Sequence, residues 1–413
     1  MPKIRIKERD LTTNPLVGST TNDILVVNST LVDINSAPKL IEKEDLEKLK
    51  DNESLKQFLT QVLGLGGRVV VANSWKDAKE YCGDRNQYDI KFILAKEGAE
   101  AIPEVKEDEG QQAAAAETEL EVALDIAQKR KDCVVVYTKI NPEYTTNLTE
   151  SNLLKNSCNY IGTIADTDSD KKFFSDEVKT PVGKYVLPFY ANGAEGVHDI
   201  DKTDIQLDAG QAYILAFLNN VAQGRAEWVA VAGSVRGAIP YNYKVDGFLK
   251  EEEIDNMQLR TYDENNLIAI NPIINMNPWG TRIWGNRTCL PNNSVEKYGK
   301  TDEDADQLVA SSFANVRILI CDIKKALYKA ARRCQFEQNS DVLWVDFTSS
   351  VNTLLEEMKQ SYGIAAYRWI REETTERAKI KAILRIVPIE AVEDFDLTIE
   401  LSDSLNNAVQ VAE

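Results

Sequence analysis

The sequence predicts an α/β plus α+β fold, in which an α/β layer domain precedes a smaller α+β domain. Three observations support this prediction. The chain has 413 residues, whereas a single hydrophobic core usually stops growing at about 250–300 residues. Apolar, β-branched runs alternate with helical patterns over the first part of the chain, as in layered sheets with partly parallel strands. After residue 300, two long amphipathic patterns precede a set of strand-like runs.

The composition limits the kinds of partner. Hydrophobic residues make up 43% and charged residues 28% of the chain, which is an ordinary globular profile. No apolar run reaches the ~18 residues of a membrane span, so no membrane partner is expected. The formal net charge of −18 repels phosphate backbones, so nucleic acid is not expected to be a partner.

The first element is a short predicted strand on a flexible arm, residues 1–20. Residues 3–7 alternate, with Ile4 and Ile6 on one face and charged side chains on the other. The residues that follow are rich in Thr, Asn, Pro and Gly, which predicts turns. Because a strand on such an arm cannot pair its own backbone groups, we expect it to join a sheet, which can belong to another chain.

Residues 21–300 are predicted to form the α/β domain. Six apolar runs predict its strands, at 24–27, 68–73, 89–95, 132–138, 184–191 and 267–271. Three helical patterns lie among them, at 44–67, 111–130 and 209–223. The glycines of 64–68 follow a helix, which is the reverse of the order in a phosphate-binding loop. They therefore predict a helix end and a tight turn.

Residues 301–402 are predicted to form the α+β domain. The pattern over 302–336 predicts one long amphipathic helix or a helix pair. A further helix is predicted at 340–363, with Ser340 as its N-cap and Gly363 as its stop.

Three strand-like runs complete this domain, at 364–373, 378–390 and 394–403. In the last run, three apolar residues alternate with polar ones, which predicts a half-buried strand: Leu397, Ile399 and Leu401. The remaining residues, 403–413, are short and polar and are predicted to form a loose tail.

One acidic loop has a spacing that could bind a metal ion. The residues at the ligand positions of a calcium loop are Asp166, Asp168, Asp170 and Glu177. The sixth position, which needs glycine for a sharp turn, is Lys171, and no clear pair of flanking helices is visible. A solvated acidic loop is the favoured interpretation, and no metal or other cofactor is predicted.

Catalysis is not expected. The chain has one histidine, His198, which excludes multi-histidine metal sites. The Ser, Thr and Cys residues have no base beside them in a recognisable motif. Residues 225–243 combine Arg, Trp and Tyr with many small residues, and close packing is favoured there over a binding groove.

Residues 271–288 form the most unusual segment of the chain. It contains two Trp, two Arg, two Gly and two Pro but no acidic residue. Trp279 and Trp284 can bury large areas, and Pro278 with Gly280 predicts a turn. Since the segment lies where the α/β character ends, it predicts a domain junction or a subunit contact.

This segment also carries a resemblance to a known family. The order of residues in 271–288 resembles the order in the tail sheath proteins of contractile phage tails and related injection systems. The matching residues are Asn271, Pro272, Gly280, Arg282, Trp284, Gly285, Arg287 and Thr288. The helix that begins near 315, the closing strands and the opening strand at 3–7 are similar to further family elements, whereas the resemblance is thin over 75–180.

The resemblance implies a structural protein and not an enzyme. In that family, subunits with a compact sheath-like core stack as six-membered rings around a tail tube, and contraction needs only rearrangement between subunits. Terminal strands are exchanged between copies, which here implies Ile4, Ile6, Leu397, Ile399 and Leu401 as inter-subunit residues. The implied partners are other copies, the tail tube protein, and baseplate and tail terminator proteins.

The same resemblance implies a location in the virion tail, with assembly in the host cytoplasm. Arg332 and Arg333 are the first residues to consider as tube contacts. The chain has little room for the large outer domains that many sheath proteins carry. Two alternatives stay open: a sheath-like ring, collar or terminator protein of a non-contractile tail, and an α/β nucleotide-binding enzyme.

Overall fold

The computed structural model describes most of both predicted domains. The described residues are 23–33, 36–49, 52–96, 100–102, 117–139, 182–191, 194–197, 204–205, 207–239, 242–245, 271–289, 310–372, 379–389 and 391. Several predictions lie outside them: the arm strand with Ile4 and Ile6, the acidic loop with Asp166, Asp168, Asp170 and Glu177, the strand with Leu397, Ile399 and Leu401, and the tail 403–413.

The secondary structure alternates between strands and helices up to residue 289. The helices are α1 (Glu53–Gly64), α2 (Trp75–Tyr81), α3 (Glu119–Arg130), α4 (Ala209–Ala222), α5 (Gly233–Arg236), α6 (Ala314–Cys334) and α7 (Asp341–Gln360). Short 3-10 turns lie at Lys43–Lys48, Val182–Tyr185 and Ala310–Ser312.

The strands are β1 (Asp23–Val27), β2 (Lys39–Leu40), β3 (Arg68–Ala72), β4 (Ile90–Lys96), β5 (Glu100–Ile102), β6 (Glu117–Thr118), β7 (Val134–Lys139), β8 (Val186–Ala191), β9 (Ala194–Val197), β10 (Asp204–Ile205), β11 (Asn242–Val245), β12 (Asn271–Met276), β13 (Gly280–Ile283), β14 (Ile364–Glu372) and β15 (Lys381–Pro388). Small accessory sheets pair β5 with β6 and place β9 between β10 and β11.

The main sheet has eight strands in the order β13-β12-β8-β7-β4-β1-β3-β2. The six inner strands are parallel, and β2 and β13 pair antiparallel at the two edges. The prediction of a partly parallel α/β sheet is confirmed. The helical connections between parallel strands cover both faces, so successive side chains of one strand enter different cores.

Two apolar cores sandwich this sheet. Val134 and Val136 of β7 belong to the core covered by α1 and α4. Val135, which alternates with them, belongs to the core covered by α2 and α3. Alternation along each strand thus explains why β-branched residues occupy consecutive positions in these runs.

Helix starts in this domain are set by side-chain caps. The side chain of Asn52 accepts a hydrogen bond from the Leu55 amide, so α1 begins there and the predicted helix 44–67 is split in two. Thr118 and Glu121 form a capping box, so α3 begins at Glu119 and not at the predicted 111. The predicted turn in 64–68 is confirmed, with Gly66 at a φ of +81°.

An extra residue interrupts the sheet at Lys91. Asp23 pairs with Ile90 and Ile24 pairs with Phe92, so Lys91 has no partner on β1. The extra residue turns Ile90 to one face and Phe92 to the other. It also leaves a lysine side chain fully buried at the amino end of the strand.

The second unit is built on α6 and α7, with the hairpin β14–β15 packed against them. Its core contains Leu319, Ile323, Ala326, Leu354, Leu355, Met358 and Ile364. The first half of α6 belongs to a different core, because Ala314, Ile318 and Cys321 pack with α4 and the main sheet. Helix α6 therefore contributes to both units. The boundary at residue 300 stays a prediction.

The end of α7 departs from its prediction. Ser340 caps the helix as predicted, accepting a hydrogen bond from the Leu343 amide at 3.2 Å. The residue in the left-handed conformation is Tyr362, with a φ of 59°, and not Gly363. Gly363 is needed for a different reason, since a Cβ there would lie 2.6 Å from Nε1 of Trp228, a side chain that the first unit inserts into the second core.

We expect Gly363→Ala to destabilise the protein by about 1–3 kcal/mol, the usual range for overpacking a well-filled core. Gly64→Ala is a matched control, because a Cβ at this last residue of α1 meets nothing within 4 Å. It should be neutral or stabilise by up to about 1 kcal/mol. Denaturant unfolding followed by tryptophan fluorescence measures both changes, and equal effects of the two substitutions would contradict the packing argument.

Candidate assembly interface

The segment 271–289 forms an edge hairpin followed by a connection to α6. Strand β12 pairs with β13 so that Met276 lies opposite Gly280. The turn between them contains a cis peptide bond at Asn277–Pro278 and Gly280 at a φ of +76°. The predicted turn at Pro278 and Gly280 is therefore confirmed, and strand β13 ends at Ile283.

Asn271 joins three stretches of backbone. Its buried side-chain amide donates to the carbonyl of Pro188 at 2.9 Å and to the carbonyl of Arg287 at 2.8 Å. Its side-chain oxygen accepts from the Arg287 amide at 2.7 Å. These three hydrogen bonds fasten the chain after the hairpin to β8, inside a region where unpaired polar groups are costly.

Gly285 is required by the same contact. A Cβ at this position would lie 2.7 Å from the side-chain oxygen of Asn271 and 2.8 Å from its Cα. Any larger residue would push the chain away from Asn271. The glycine and the asparagine of the family-like signature therefore serve one backbone junction.

The next residues of the signature cap α6. The Ala314 amide donates to the Asn286 carbonyl at 2.9 Å, and the Asn315 amide donates to the Asn286 side-chain oxygen at 3.2 Å. The Thr288 amide donates to the Ser312 carbonyl at 2.8 Å. Phe313, the N-cap position, provides no side-chain cap itself. A distant loop thus satisfies the first amides of the helix.

The two arginines of the signature are positioned by different contacts. Arg282 donates from Nε to the Ser234 carbonyl and from Nη1 to the Thr281 carbonyl, both at 2.8 Å. The guanidinium carbon of Arg287 lies 4.0 Å from the ring centroid of Phe313, so this buried cation stacks on the residue that begins α6.

The tryptophans contribute less burial than the sequence predicts. Trp284 is half-buried, and its backbone amide donates to the Pro272 carbonyl at 2.8 Å. Trp279 is 51% exposed because it lies at the tip of the hairpin turn. Within one chain Trp279 therefore buries little area, and its burial in a contact between copies stays a prediction. The segment functions as a domain junction through its polar residues.

A buried ionic network, which the sequence reasoning missed, also ties α6 to the sheet. Nζ of Lys91 contacts carboxylates of Glu227 and of Asp322, the latter at 3.0 Å. One turn further along α6, Nζ of Lys325 lies 2.8 Å from Asp89. Burial alone lowers the pKa of Lys91, but the two carboxylates outweigh it and raise that pKa above its usual value. The sequence signal that could have revealed this network is Lys91, a lysine inside the apolar run 89–95.

Among the described residues, the carboxyl ends of β1 and β4 do not present a glycine-rich phosphate loop. The strand order reverses between β1 and β4, where ligands of α/β proteins commonly bind. The crevice there measures about 290 Å³. Its polar groups pair with one another, as in the 2.9 Å contact between Lys96 and Asp208. The four residues after β1, 28–31, contain no glycine that would let a phosphate approach the backbone.

Within the described ranges, His, Cys, Asp and Glu side chains do not cluster in threes as a metal site needs. In the same part of the chain, no helix is long and apolar enough to cross a membrane. Four of the five described cysteines are buried, and all five are free.

The hairpin β14–β15 is a two-stranded sheet among the described strands. In the part of the chain that the structure describes, these two strands pair only with each other. One face packs on α7, where the Tyr367 hydroxyl donates to Glu356 at 2.7 Å and Nε1 of Trp369 donates to Asn352 at 2.8 Å. Apolar side chains remain exposed around it: Phe336, Val342, Val345, Ile380, Ile383 and Val387.

A groove of about 820 Å³ runs between this hairpin and the α6–α7 connection. Trp344, Phe347 and Trp369 form its aromatic wall, with ring centroids 5.7–5.9 Å apart. Leu384 and Ile380 line the strand side. We call this surface the hairpin groove. Strand edges that no described strand covers, beside an apolar groove, are the features that strand addition uses.

Helix α6 carries a basic face in an acidic protein. Its cations are Arg317, Lys324, Lys325, Lys329, Arg332 and Arg333, against one acid, Asp322. Arg332 and Arg333 lie exposed in the last turn, beside a second groove of about 460 Å³ that Arg85 and Lys329 also line. This end of the helix suits an acidic partner.

We expect Asn271→Ala to destabilise the protein by about 3 kcal/mol or more, because it leaves two carbonyls and one amide unpaired in the interior. Asn275→Ala, at an exposed position of the same strand, is the control and should change stability by about 0.5 kcal/mol or less. Urea unfolding of the unassembled chain measures both. A loss below about 1 kcal/mol for the first variant would show that the junction does not depend on Asn271.

No protein-family model matches the sequence, and no curated protein matches it. Solved structures do match. A chain of the PVC sheath complex, an extracellular contractile injection system in its contracted state, is 14% identical with a TM-score of 0.60, and the match covers 98% of each chain.

Two chains of the anti-feeding prophage baseplate are also similar. One, from the six-fold symmetrised baseplate, is 15% identical with a TM-score of 0.56, over 97% of this chain and 99% of that one. The other, from the contracted baseplate, is 12% identical with a TM-score of 0.59, over 98% and 99%. At these identities the likeness concerns the fold, and it spans nearly the whole chain. The protein therefore has the fold of chains found in contractile injection system sheath and baseplate complexes.

Proposed function

We propose that this protein is a tail sheath subunit. It polymerises as stacked, six-membered rings around a tail tube, and rearrangement between subunits drives contraction. The likeness in fold to a chain of a contracted sheath complex supports this role. The subunit assembles in the host cytoplasm and resides in the tail of the particle.

The observation that carries the proposal is the incomplete hairpin sheet β14–β15. A two-stranded sheet is marginally stable alone, and open edges attract further strands. Here the edges adjoin the hairpin groove and several exposed apolar side chains. A protein that kept this surface uncovered would be prone to uncontrolled association, so a specific neighbour is the simplest occupant.

The termini supply strands of the required kind. Residues 3–7 alternate with Ile4 and Ile6 on one side, and 397–401 alternate with Leu397, Ile399 and Leu401. Added to the hairpin of an adjacent copy, each strand satisfies an edge with backbone hydrogen bonds and directs alternate apolar residues into the groove. The turn-rich link after residue 10 lets rings move while they stay joined.

The role requires no catalysis and no cofactor. Contraction redistributes contacts between preformed subunits, so its driving force is the difference in interface free energy between two lattices. Each subunit must then move as a unit. The junction at Asn271 and Asn286 and the ionic network of Lys91 support such rigidity, because they fix α6 to the sheet.

The basic end of α6 is assigned to the tail tube. Arg332 and Arg333 are exposed and lack an adjacent acid in the sequence, so an acidic tube surface complements them.

Baseplate and tail terminator proteins contact the two ends of the polymer. Similarity to baseplate chains favours one alternative, a sheath-like ring that caps a tail without polymerising along it. Negative-stain microscopy separates the two, since one gives long cylinders and the other single rings.

Deleting residues 1–12 is expected to leave a folded monomer that no longer polymerises, because the arm strand is lost while both cores remain. Removal of 408–413, within the predicted loose tail, serves as the control and should leave polymerisation intact. Sedimentation and negative-stain microscopy measure the assembly state. Long cylinders formed by the arm-deleted protein would rule out the exchanged arm.

Reversing the charges at Arg332 and Arg333 to Glu should weaken the contact with the tube, with folding unchanged because both side chains are exposed. Lys43→Glu, at an exposed position in the first unit, is the matched charge control. Co-sedimentation with tube protein at low and high salt measures the contact. If the double variant binds the tube as tightly as the control at low salt, the assignment of this end of α6 is wrong.

A further inference from the structure

Two buried cations flank one tyrosine ring beside the first half of α6. The guanidinium carbon of Arg317 lies 4.2 Å from the ring centroid of Tyr185, and Nζ of Lys184 lies 5.4 Å from the same centroid. Arg317 is 1% exposed and Lys184 is 6% exposed. The two side chains come from different elements, α6 and the turn before β8, so the fold brings like charges together.

Arg317 presents an unused hydrogen-bonding fork. Its Nε and Nη2 are buried and make no hydrogen bond to any residue within the described ranges. These two nitrogens point along the same side of the guanidinium plane, which is the edge that holds a carboxylate or phosphate with two parallel hydrogen bonds. The aromatic ring of Tyr185 lies over a face of the group, and the Tyr185 side chain also shares a hydrogen bond with the side chain of Arg317.

Two further lysines extend the positive cluster. Lys324 lies two turns after Arg317 on α6 and is half-buried, and Lys131 ends α3. Burial, and then the charge of Arg317, lower the pKa of Lys324 to about 8. Burial, and then the charges of Arg317 and Lys324, lower the pKa of Lys184 to about 7. Burial is the larger cause in both cases, and repulsion from the neighbouring cations adds to it.

Three carboxylates of α6 and of the strand ends beside it pair with other cations. Asp322 pairs with Lys91 at 3.0 Å, and Asp132 pairs with Nε of Arg130 at 3.1 Å. Asp89 holds Lys325 and Lys329, both at 2.8 Å. Buried cations without a counter-charge are destabilising, so such clusters usually have an anionic partner.

We propose that Arg317, Lys184 and Lys324 form a binding site for one oxyanion, held bidentately by the Nε–Nη2 edge of Arg317. Lys184 and Lys324 supply the remaining positive charge. The ligand is a carboxylate, from an acidic side chain of an adjacent protein copy, or a free phosphate. Both present the same pair of oxygens. The site is separate from the hairpin groove and does not depend on the proposed sheath function.

Isothermal titration of the full chain with inorganic phosphate and, separately, with glutarate tests the site at constant ionic strength. We expect one-to-one binding of at least one of these anions. Arg317→Gln should weaken it at least tenfold, and Arg317→Lys by about tenfold, because lysine keeps the charge but lacks the fork. Arg236→Gln, an exposed arginine of α5, is the control and should bind as the wild type does.

Tighter binding of glutarate identifies the ligand as a carboxylate, and tighter binding of phosphate identifies a free anion; both support the site. Lys184→Gln provides a second weakened variant if circular dichroism shows that the Arg317 variants are unfolded. The proposal is overturned if neither anion binds the wild type one-to-one. It is also overturned if the folded Arg317 or Lys184 variants bind as tightly as the control.

Discussion

The attachment of α6 to the amino ends of the sheet strands is the contact on which the remaining architecture depends. The helix has one half in each of two cores, so neither unit can form its full interior without it. Asn271 and Asn286 fix its start through backbone hydrogen bonds, and the ion pairs of Lys91 and Lys325 fix its middle. A helix held at several points along its length transmits displacement of one unit to the other without bending.

Elements with strong periodic signals could be predicted from the sequence, whereas several helix starts set by one side chain could not. The central strands and α4 are long apolar runs, so burial alone identifies them. Helix α2, Trp75–Tyr81, was missed because seven residues carry little periodicity, although Ser74 caps it through a hydrogen bond from Asp77. The split of the helix predicted at 44–67 depends on the side chain of Asn52 alone, and hydrophobic periodicity does not detect a single capping residue.

The junction at 271–288 was also predicted only in part. The order of residues in 271–288 was enough to predict a junction, and the sheath-like fold follows from the same resemblance. The prediction nevertheless assigned the burial to the tryptophans, since large aromatics usually dominate contacts. In the structure, Asn271 and Gly285 hold the junction together instead. They approach within a distance that only a glycine allows. Such a contact joins a strand residue to the connection that follows the next strand, and sequence spacing does not reveal it.

The second unit ends in a hairpin whose edges are open among the described strands, while α6 holds that hairpin in a fixed place relative to the main sheet. We propose that adjacent copies complete it, so that the finished fold exists only in the assembly. A reconstruction of the assembled polymer with resolved side chains tests this most directly. The account predicts residues 3–7 and 397–401 of neighbouring copies as added strands on β14 and β15. Both termini packed on their own subunit, with the hairpin edges left unpaired, would contradict it.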